Sequence, residues 1–485
     1  MDALPAELVD LILDHGDHSS LKCLRGVSKR YHDAATSRVF EHFYMALFDD
    51  SLEKLCHLSK SPLAKHITRF TFYCDILPDQ EIWHRRDWEQ RIDYRPSFRV
   101  WAKEGDVNPR VNPEGRQYDG RSFKDYEQIP RHSFTEQQLD RGWDEFIRLG
   151  RQQREWREDV HSLVFKEHFA MLPNLVECTA VTATPFKGTT SKWPVWERLR
   201  SRMLVSPDDW MYKTTHWKDG HRGTMAGQAA LCLLEAVGFR ACFAGTKHID
   251  KLTVHASQSG PWRRLMGRTT GTQTIDHNTR YQTVLEGFRH LTELDLRISH
   301  AAQNSQDNGE AIGIDIVELL HSATQLQRLS LAYSDVGPAF AFTTLSSEPT
   351  LAPLFKGKPP WTQLEHLALS LDTPHSLLLP FFRSLSTTLV SLELRDMFVE
   401  DPDELINQIP RILKLRHIYI ECVWRGFSLR SATEEIRCVF QQGSDVDEPY
   451  ECAVKAYMLR ETTECPDFMY DDERDTEQRE FDDRE

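Results

Sequence analysis

The chain has 485 residues, of which 40% are hydrophobic and 27% charged, and its formal net charge is −15. The sequence has no run of the roughly 20 apolar residues that a membrane span requires, and no signal-peptide pattern at its N-terminus. Residues 461–485 contain twelve acidic residues and three arginines, so the body is nearly balanced and has no basic stripe for phosphate binding. We therefore expect a soluble, cytoplasmic and/or nuclear protein that binds neither nucleic acid nor membrane.

The first forty residues are predicted to form three short helices. The first helix has the i, i+4, i+7, i+8 spacing of one apolar helical face, at Leu4, Leu8, Leu11 and Ile12. Pro5 suits its first turn, and we expect Gly16 to end it in the left-handed conformation. Asp17, Ser19 and Ser20 are candidate N-caps for the second helix, and Ser28 is the candidate for the third. Helices this short carry more apolar surface than forty residues can bury, which indicates a partner.

Residues 4–31 resemble an F-box, the motif by which substrate receptors of Skp1-cullin ubiquitin ligases hold their adaptor. The resemblance rests on Leu-Pro at 4–5, Glu-Leu at 7–8, Ile-Leu at 12–13, Leu21, Leu-Arg at 24–25 and Val-Ser-Lys-Arg-Tyr at 27–31. It covers about residues 1–45 and is similar to fungal members of the family, but Gly16 stands where F-boxes commonly carry Leu.

The F-box resemblance implies a Skp1-like adaptor as partner and, through that adaptor, a cullin. The implied adaptor-binding residues are Leu4, Pro5, Glu7, Leu8, Ile12, Leu21, Leu24 and Val27. The alternative interpretation is an ordinary N-terminal helical cap that packs on the rest of the chain.

After this segment, residues 39–58 have the spacing of one amphipathic helix, and we assign 46–62 to a linker helix. A second pattern, apolar-x-x-apolar-x-apolar, then recurs eight times within 63–460 and predicts a short strand each time. The first residues of the eight matches are Ile67, Leu175, Ile249, Leu291, Leu326, Leu364, Leu389 and Leu415. Helix-like segments lie between strands at 282–288, 312–323, 377–385 and 404–413.

This alternation of strand and helix resembles a leucine-rich repeat solenoid, in which each unit buries its apolar face against its neighbours. The position eight residues after each anchor, where that family carries Asn, holds other residues, such as Met397. The predicted fold class is therefore α/β: an N-terminal three-helix F-box followed by an irregular, leucine-rich-repeat-like solenoid with helical and loop insertions. The alternative is an ordinary α/β domain with parallel strands.

Two insertions rich in Trp and Arg interrupt the repeats, at about 78–165 and 185–225. We expect an exposed loop at 108–130 and helices within 135–165. The tryptophans either form an interface or fill the core of the inserted segments; they are Trp83, Trp88, Trp101, Trp143, Trp156, Trp193, Trp196, Trp210 and Trp217. A further loop is predicted at 263–280, and 461–485 is predicted to be a disordered acidic tail.

Strand residues between the inward apolar positions would face the concave side of a solenoid. Charged and aromatic side chains there are candidates for binding a protein substrate, and solvated strand charges are the alternative. These candidate substrate-binding residues are His255, Asp295, Arg297, Glu393, Arg395, Tyr419 and Glu421.

The sequence contains no nucleotide-binding glycine loop, no HExxH helix and no GxSxG elbow. The pairs His161/His168 and His216/His221 lack zinc-ligand spacing, and ten scattered cysteines are typical of buried thiols in a reducing compartment. We therefore expect no enzyme activity, no metal and no cofactor. The resemblance implies the substrate-recognition subunit of a Skp1-cullin-F-box ubiquitin ligase; the alternative is a non-ligase scaffold or interaction protein that retains an F-box.

Overall fold

A computed structural model describes sixteen parts of the chain: 4–74, 77, 85–92, 134–156, 159–181, 199, 201–204, 221–243, 245–256, 275–299, 309–334, 351–371, 373–399, 401–425, 437–438 and 456–462. The predicted loop at 108–130 and the tail beyond 462 lie outside these ranges. So do six of the nine tryptophans in the insertions: Trp83, Trp101, Trp193, Trp196, Trp210 and Trp217.

The described residues form a mixed α/β fold around one sheet. Its strands are β1 (His42–Ala46), β2 (Arg69–Tyr73), β3 (Glu177–Val181), β4 (Lys251–Ala256), β5 (Glu293–Ser299), β6 (Arg328–Ser334), β7 (His366–Ser370), β8 (Ser391–Val399), β9 (His417–Arg425) and β10 (Arg437–Cys438).

The helices before β4 are α1 (Ala6–His15), α2 (His18–Leu24), α3 (Lys29–Phe40), α4 (Asp49–Ser59), a 3-10 helix (Pro62–His66), α5 (Arg85–Ile92), α6 (Glu136–Glu155), α7 (Asp159–Ala170) and α8 (His221–Ala241). Those after it are α9 (Ile275–Phe288), α10 (Gly309–Ser322), α11 (Ala352–Phe355), α12 (His375–Ser384) and α13 (Pro402–Ile412).

The order of the strands in the sheet is their order in the chain, from β1 to β10. Neighbouring strands from β1 to β9 are parallel, and β10 runs antiparallel to the end of β9. Each crossover between described parallel strands therefore adds the next strand at the same edge. A doubly wound sheet would instead reverse its direction of growth at one point.

The apolar pattern places one side of every predicted strand in a common core. Leu294 and Leu296 of β5, for example, lie opposite Leu329 and Leu331 of β6 in register, and all four are buried. Helices α4 and α7 to α13 cover this side and share one continuous apolar core with it. We call this side the inner face and the opposite side the outer face.

All eight predicted strands are confirmed, and the four predicted helices correspond to α9, α10, α12 and α13. The predicted loop at 263–280 is wrong over its last six residues, because α9 begins at Ile275. Helix α7 joins the main core through Phe165 and Phe169. The first insertion therefore ends before α7 instead of at about 165.

The single helix predicted over 39–58 is also wrong. The chain forms the end of α3, then β1, and then α4. β1 pairs with β2 in parallel register, from His42 opposite Arg69 to Ala46 opposite Tyr73. Its sequence HFYMA is rich in aromatic residues, and pairing with a neighbouring strand decides the conformation of such a segment. Leu55 of α4, within the predicted linker, is fully buried in the main core.

Helices α1 to α3 form a small unit with a separate core, whose buried residues are Val9, Leu13, Leu21, Tyr31, Ala35 and Val39. Of the three candidate caps of α2, Asp17 is the one that caps it: its side chain accepts a hydrogen bond from the Ser20 amide at 2.8 Å, whereas Ser19 and Ser20 lie inside the helix. The predicted cap of α3 is confirmed, since Ser28 accepts a hydrogen bond from the Tyr31 amide at 3.5 Å. The left-handed conformation predicted for Gly16 is wrong, since its φ is −73°.

The two insertions pack against each other. The Trp88 indole N–H of α5 donates to the Met203 carbonyl at 3.2 Å, and Arg202 forms an ion pair with Glu145 of α6. Their apolar cluster includes Tyr73 and Val181, which end β2 and β3 and point to the outer face. The insertions therefore cover the outer face at the ends of the first strands. Trp88 and Trp156 are buried and fill cores.

Candidate functional site

Helix α1 has two apolar faces. Val9 and Leu13 point into the three-helix core and are at most 3% exposed. Leu8, Leu11 and Ile12 lie on the other side and are 46%, 54% and 45% exposed. Three large aliphatic side chains at i, i+3 and i+4 form one contiguous stripe on a helix surface. We call these three residues the α1 stripe.

The structure divides the residues predicted to bind an adaptor. Leu8, Ile12, Pro5 and Val27 are exposed, with Val27 at 55%. Leu21 is buried in the three-helix core, and Leu4 and Leu24 pack against that core. Leu21 is therefore a structural residue of the unit, and the Glu7 side chain lies outside the described residues. Leu11 was not among the predicted site residues, although its position three residues after Leu8 would have identified it.

Polar contacts fix α1 against α3. Arg38 of α3 donates from Nε to Asp14 at 2.9 Å and lies 3.5 Å from Asp10. The Arg30 guanidinium donates to the Leu4 carbonyl at 2.7 Å. These contacts hold the first helix in one orientation, so that the α1 stripe stays on the surface.

The outer face of the sheet is polar, and its side chains align in rows across the strands. The first row pairs opposite charges: Arg69 with Glu177 at 3.2 Å, and Glu293 with Lys251 at 2.8 Å and Arg328 at 3.9 Å. The five side chains are 32–59% exposed. Ion pairs this exposed contribute little stability, and they leave the row nearly neutral.

Three of the predicted substrate-binding residues meet at the centre of the outer face. The His255 Nε2 atom lies 2.8 Å from Oδ2 of Asp295. The other Asp295 oxygen accepts hydrogen bonds from the Ser330 hydroxyl at 2.9 Å and from Arg297 Nε at 3.4 Å. Burial alone would raise the pKa of Asp295, but the His255 contact, followed by the charge of Arg297 and the Ser330 hydrogen bond, holds that pKa below its usual range.

A second cluster on β8 and β9 contains three more of the predicted residues. The Arg395 guanidinium donates to Glu393 at 2.7 Å and lies 4.6 Å from the centre of the Tyr419 ring. Stacking on an aromatic ring restricts a guanidinium and favours its charge. Glu421 is opposite Arg395 in the register, but its side chain lies outside the described residues.

A strip of small side chains separates the two clusters. Two strands, β6 and β7, lie between β5 and β8. Their outer-face residues beside the clusters are Ser330, Ala332, Ala368 and Ser370. We call these four residues the small-residue lane. The lane is flanked by Arg297 on one side and Arg395 on the other, and the sequence patterns LDLR and LELR place both pairs alike on their strands.

The N-terminal end of the outer face carries an aromatic group. His42 stacks on Tyr44 with 3.9 Å between ring centres, and its Nε2 lies 2.8 Å from the Thr71 hydroxyl. Burial, together with the positive charge of Arg69, lowers the pKa of His42 to about 4. This imidazole is therefore neutral at pH 7.

Among the described residues there is no group of three or more His, Cys, Asp or Glu side chains that could hold a metal ion. His168 belongs to one of the two histidine pairs that lack zinc-ligand spacing, and its side chain is buried. Its Nδ1 atom lies 2.8 Å from the Ser59 hydroxyl, a contact that joins α7 to α4. Within the same ranges, no helix is both long and apolar enough to cross a bilayer.

In comparisons with known proteins, no family model matches the chain, and no curated protein matches it significantly.

Proposed function

We propose that the chain is the substrate-recognition subunit of a Skp1-cullin-F-box ubiquitin ligase, with α1 to α3 as its F-box. The observation that carries the proposal is the α1 stripe, since large aliphatic residues that stay exposed in a row mark an interaction surface. The stripe contains Leu8 and Ile12, two of the residues that the F-box resemblance assigns to the adaptor contact. A cullin would join through that adaptor.

The remainder of the chain would be a degenerate leucine-rich repeat that holds the substrate. Three features of the described residues support this: strands in strict chain order, apolar positions stacked in register, and a layer of described helices on the inner face. Repeat solenoids have this organisation. In such a receptor the outer face binds a protein substrate, and the ligase chemistry is supplied by a partner enzyme held nearby. The chain itself would need no catalytic group or cofactor, and would act in the cytoplasm or nucleus.

The test is co-purification of the full chain with a Skp1-type adaptor. Replacing Leu8 and Leu11 by Asp should reduce adaptor recovery at least tenfold, because both charges would be buried in the interface. The matched control is Leu163→Asp on α7, whose side chain is 54% exposed, the same fraction as Leu11. This control should leave adaptor recovery unchanged.

Two outcomes would contradict the proposal. Adaptor recovery that survives the Leu8/Leu11 change would show that the α1 stripe does not bind the adaptor. Recovery of adaptor without any cullin would favour the non-ligase scaffold. Circular dichroism of each variant checks that the three-helix unit remains folded.

A further inference from the structure

The outer face carries two arginines in one row. Arg297 lies opposite Ala332, and Ala332 lies opposite Ser370. Leu369 pairs with Leu394, so that Arg395 follows in the same register as Ser370. The row across four strands is therefore Arg, Ala, Ser, Arg. The two guanidinium-bearing side chains are 29% and 47% exposed, and both can be reached from solvent.

The spacing of these arginines follows from the sheet. Neighbouring strands lie about 4.8 Å apart, so three steps from β5 to β8 separate the two Cα atoms by about 14 Å. An extended chain advances about 3.4 Å per residue, so four residues cover the same distance. Side chains at i and i+4 of an extended segment point to the same side, because the side-chain period is two. A segment that crosses the strands can thus present one side chain to each arginine.

The residues between the arginines leave room for such a segment. The small-residue lane carries only methyl and hydroxymethyl groups, whereas long side chains stand on both of its borders. A backbone can therefore approach the sheet over Ala332 and Ser370, and the central i+2 residue of the segment would lie above them. A bulky residue at i+2 would hold the backbone away from the lane, which favours a small one.

The borders of the lane are held in place before any ligand binds. Asp295 is fixed by contacts from His255, Ser330 and Arg297. On the other side, Glu393 and the Tyr419 ring hold the Arg395 guanidinium. Side chains that are already ordered lose less conformational entropy on binding. A guanidinium carries five N–H donors, so each arginine can contact a ligand carboxylate beside the carboxylate that already orients it.

We propose that the small-residue lane and its two arginines bind an extended, acidic segment of a partner protein, with carboxylate side chains at positions i and i+4 and a small residue between them. This inference rests on the proposed function only in taking a protein as the ligand of the outer face. Adaptor binding through the α1 stripe is measured separately, so either proposal can fail while the other holds.

The test is fluorescence anisotropy with the full chain and three labelled nine-residue peptides of Ser and Ala. The first carries Glu at two positions four residues apart, the second carries them two apart, and the third has Gln in place of both. The first peptide should bind at least tenfold more tightly than the third and more tightly than the second. Its affinity should fall as NaCl rises, because salt screens exposed charges.

The double variant Arg297→Gln/Arg395→Gln should lower the affinity for the first peptide at least tenfold. Its matched control is Arg289→Gln/Arg383→Gln, which removes two exposed arginines from the helix layer and should leave the affinity unchanged. If Arg297→Gln disturbs the fold, as judged by Tm, Arg395→Gln alone provides the readout. The proposal is overturned if none of the peptides binds, if spacing makes no difference, or if both double variants behave alike.

Discussion

Arg240 shows how one side chain can join several segments. It is 1% exposed, and its guanidinium donates to four backbone carbonyls, those of Ala170, Pro173, Leu175 and Lys247, at 3.1–3.4 Å. Burial lowers its pKa to about 10, so that it remains charged at neutral pH. The arginine thus supplies donors to carbonyls at the end of α7, before β3 and before β4, and so joins three segments of the backbone.

His42 predicts a pH dependence of stability at the residue scale. Its folded pKa is about 4 and its reference pKa is 6.5. Below pH 6.5 the unfolded chain therefore takes up a proton that the folded chain does not. This contribution to stability is complete above pH 6.5 and is lost as the pH falls to about 4. Allowing for partial exposure, the loss is on the order of 2 kcal/mol.

The measurement is the free energy of unfolding by urea between pH 7 and pH 4. His42→Gln can keep the contact with Thr71 and does not titrate, so its stability should decline less over this interval than that of the unaltered chain. His57→Gln, at an exposed position on α4, serves as the control and should retain the steeper decline. Equal declines in all three proteins would show that His42 is not the titrating group.

At the scale of elements, α8 and α9 approach each other closely at two glycines. A Cβ atom on Gly238 would lie 2.0 Å from the Thr283 carbonyl oxygen, and one on Gly287 would lie 2.9 Å from the Gly238 amide nitrogen. Both contacts are with backbone, which cannot move aside as a flexible side chain can. The two glycines therefore set the distance between these helices.

Gly238→Ala should lower the free energy of unfolding by about 2–3 kcal/mol, because the helices must separate to admit one methyl group. Gly26→Ala is a suitable control, since its Cβ would lie 3.4 Å from the Cys23 carbonyl oxygen, and it should change stability by less than about 1 kcal/mol. Thermal unfolding of both variants measures the difference. A Gly238→Ala protein as stable as the control would mean that the helix pair can relax.

The elements that sequence reasoning identified are those whose pattern is local. Leu291, Leu294 and Leu296 predict β5 because the same spacing recurs in seven other segments and is repeated in the core. β1 was missed because HFYMA fits a helical spacing as well, and only its pairing with β2 decides the outcome. The start of α9 at Ile275 was missed because no apolar period marks residues 275–280.

The candidate surfaces, like the strands and helices, could be predicted from the sequence only in part. Alternation along a strand is enough to place Asp295, Arg297 and Arg395 on the outer face. Whether Leu21 or Leu8 of the N-terminal unit is exposed depends on how three helices pack, and the helical period alone does not decide it. The small-residue lane depends on which strands are neighbours and on their register, so a single sequence does not reveal it.

At the scale of the whole molecule, the described part of the sheet carries an apolar core on each of its faces, in addition to the separate core of α1 to α3. The larger lies under the helix layer, and the smaller lies between the insertions and the ends of β1 to β3. Each contains a buried tryptophan whose indole N–H donates to a carbonyl: Trp361 to Leu320 at 3.0 Å and Trp88 to Met203 at 3.2 Å. The two tryptophans therefore report on the two cores separately.

Trp88→Ala should remove about 3 kcal/mol or more from the smaller core. Hydrogen exchange should then become faster in α5 and α6, while β5 to β8 keep their protection. Trp361→Ala is the matched variant and should instead accelerate exchange in α10 and the neighbouring strands. Faster exchange throughout the sheet in Trp88→Ala would show that the two cores unfold as one unit.

The strand order also determines how stability is distributed along the chain. Each parallel strand pairs only with the strands before and after it, so the sheet behaves as a linear array whose members are stabilised by their nearest neighbours. β9 has a parallel neighbour on one side and the two-residue β10 on the other, and its apolar Ile418 and Ile420 are only partly buried. At the opposite end, the insertions pack over β2 and β3. Unfolding of the sheet should therefore start at the C-terminal edge and advance strand by strand. β8, which carries Arg395, would then unfold before β5, which carries Arg297, so that one border of the small-residue lane is disordered while the other is still folded.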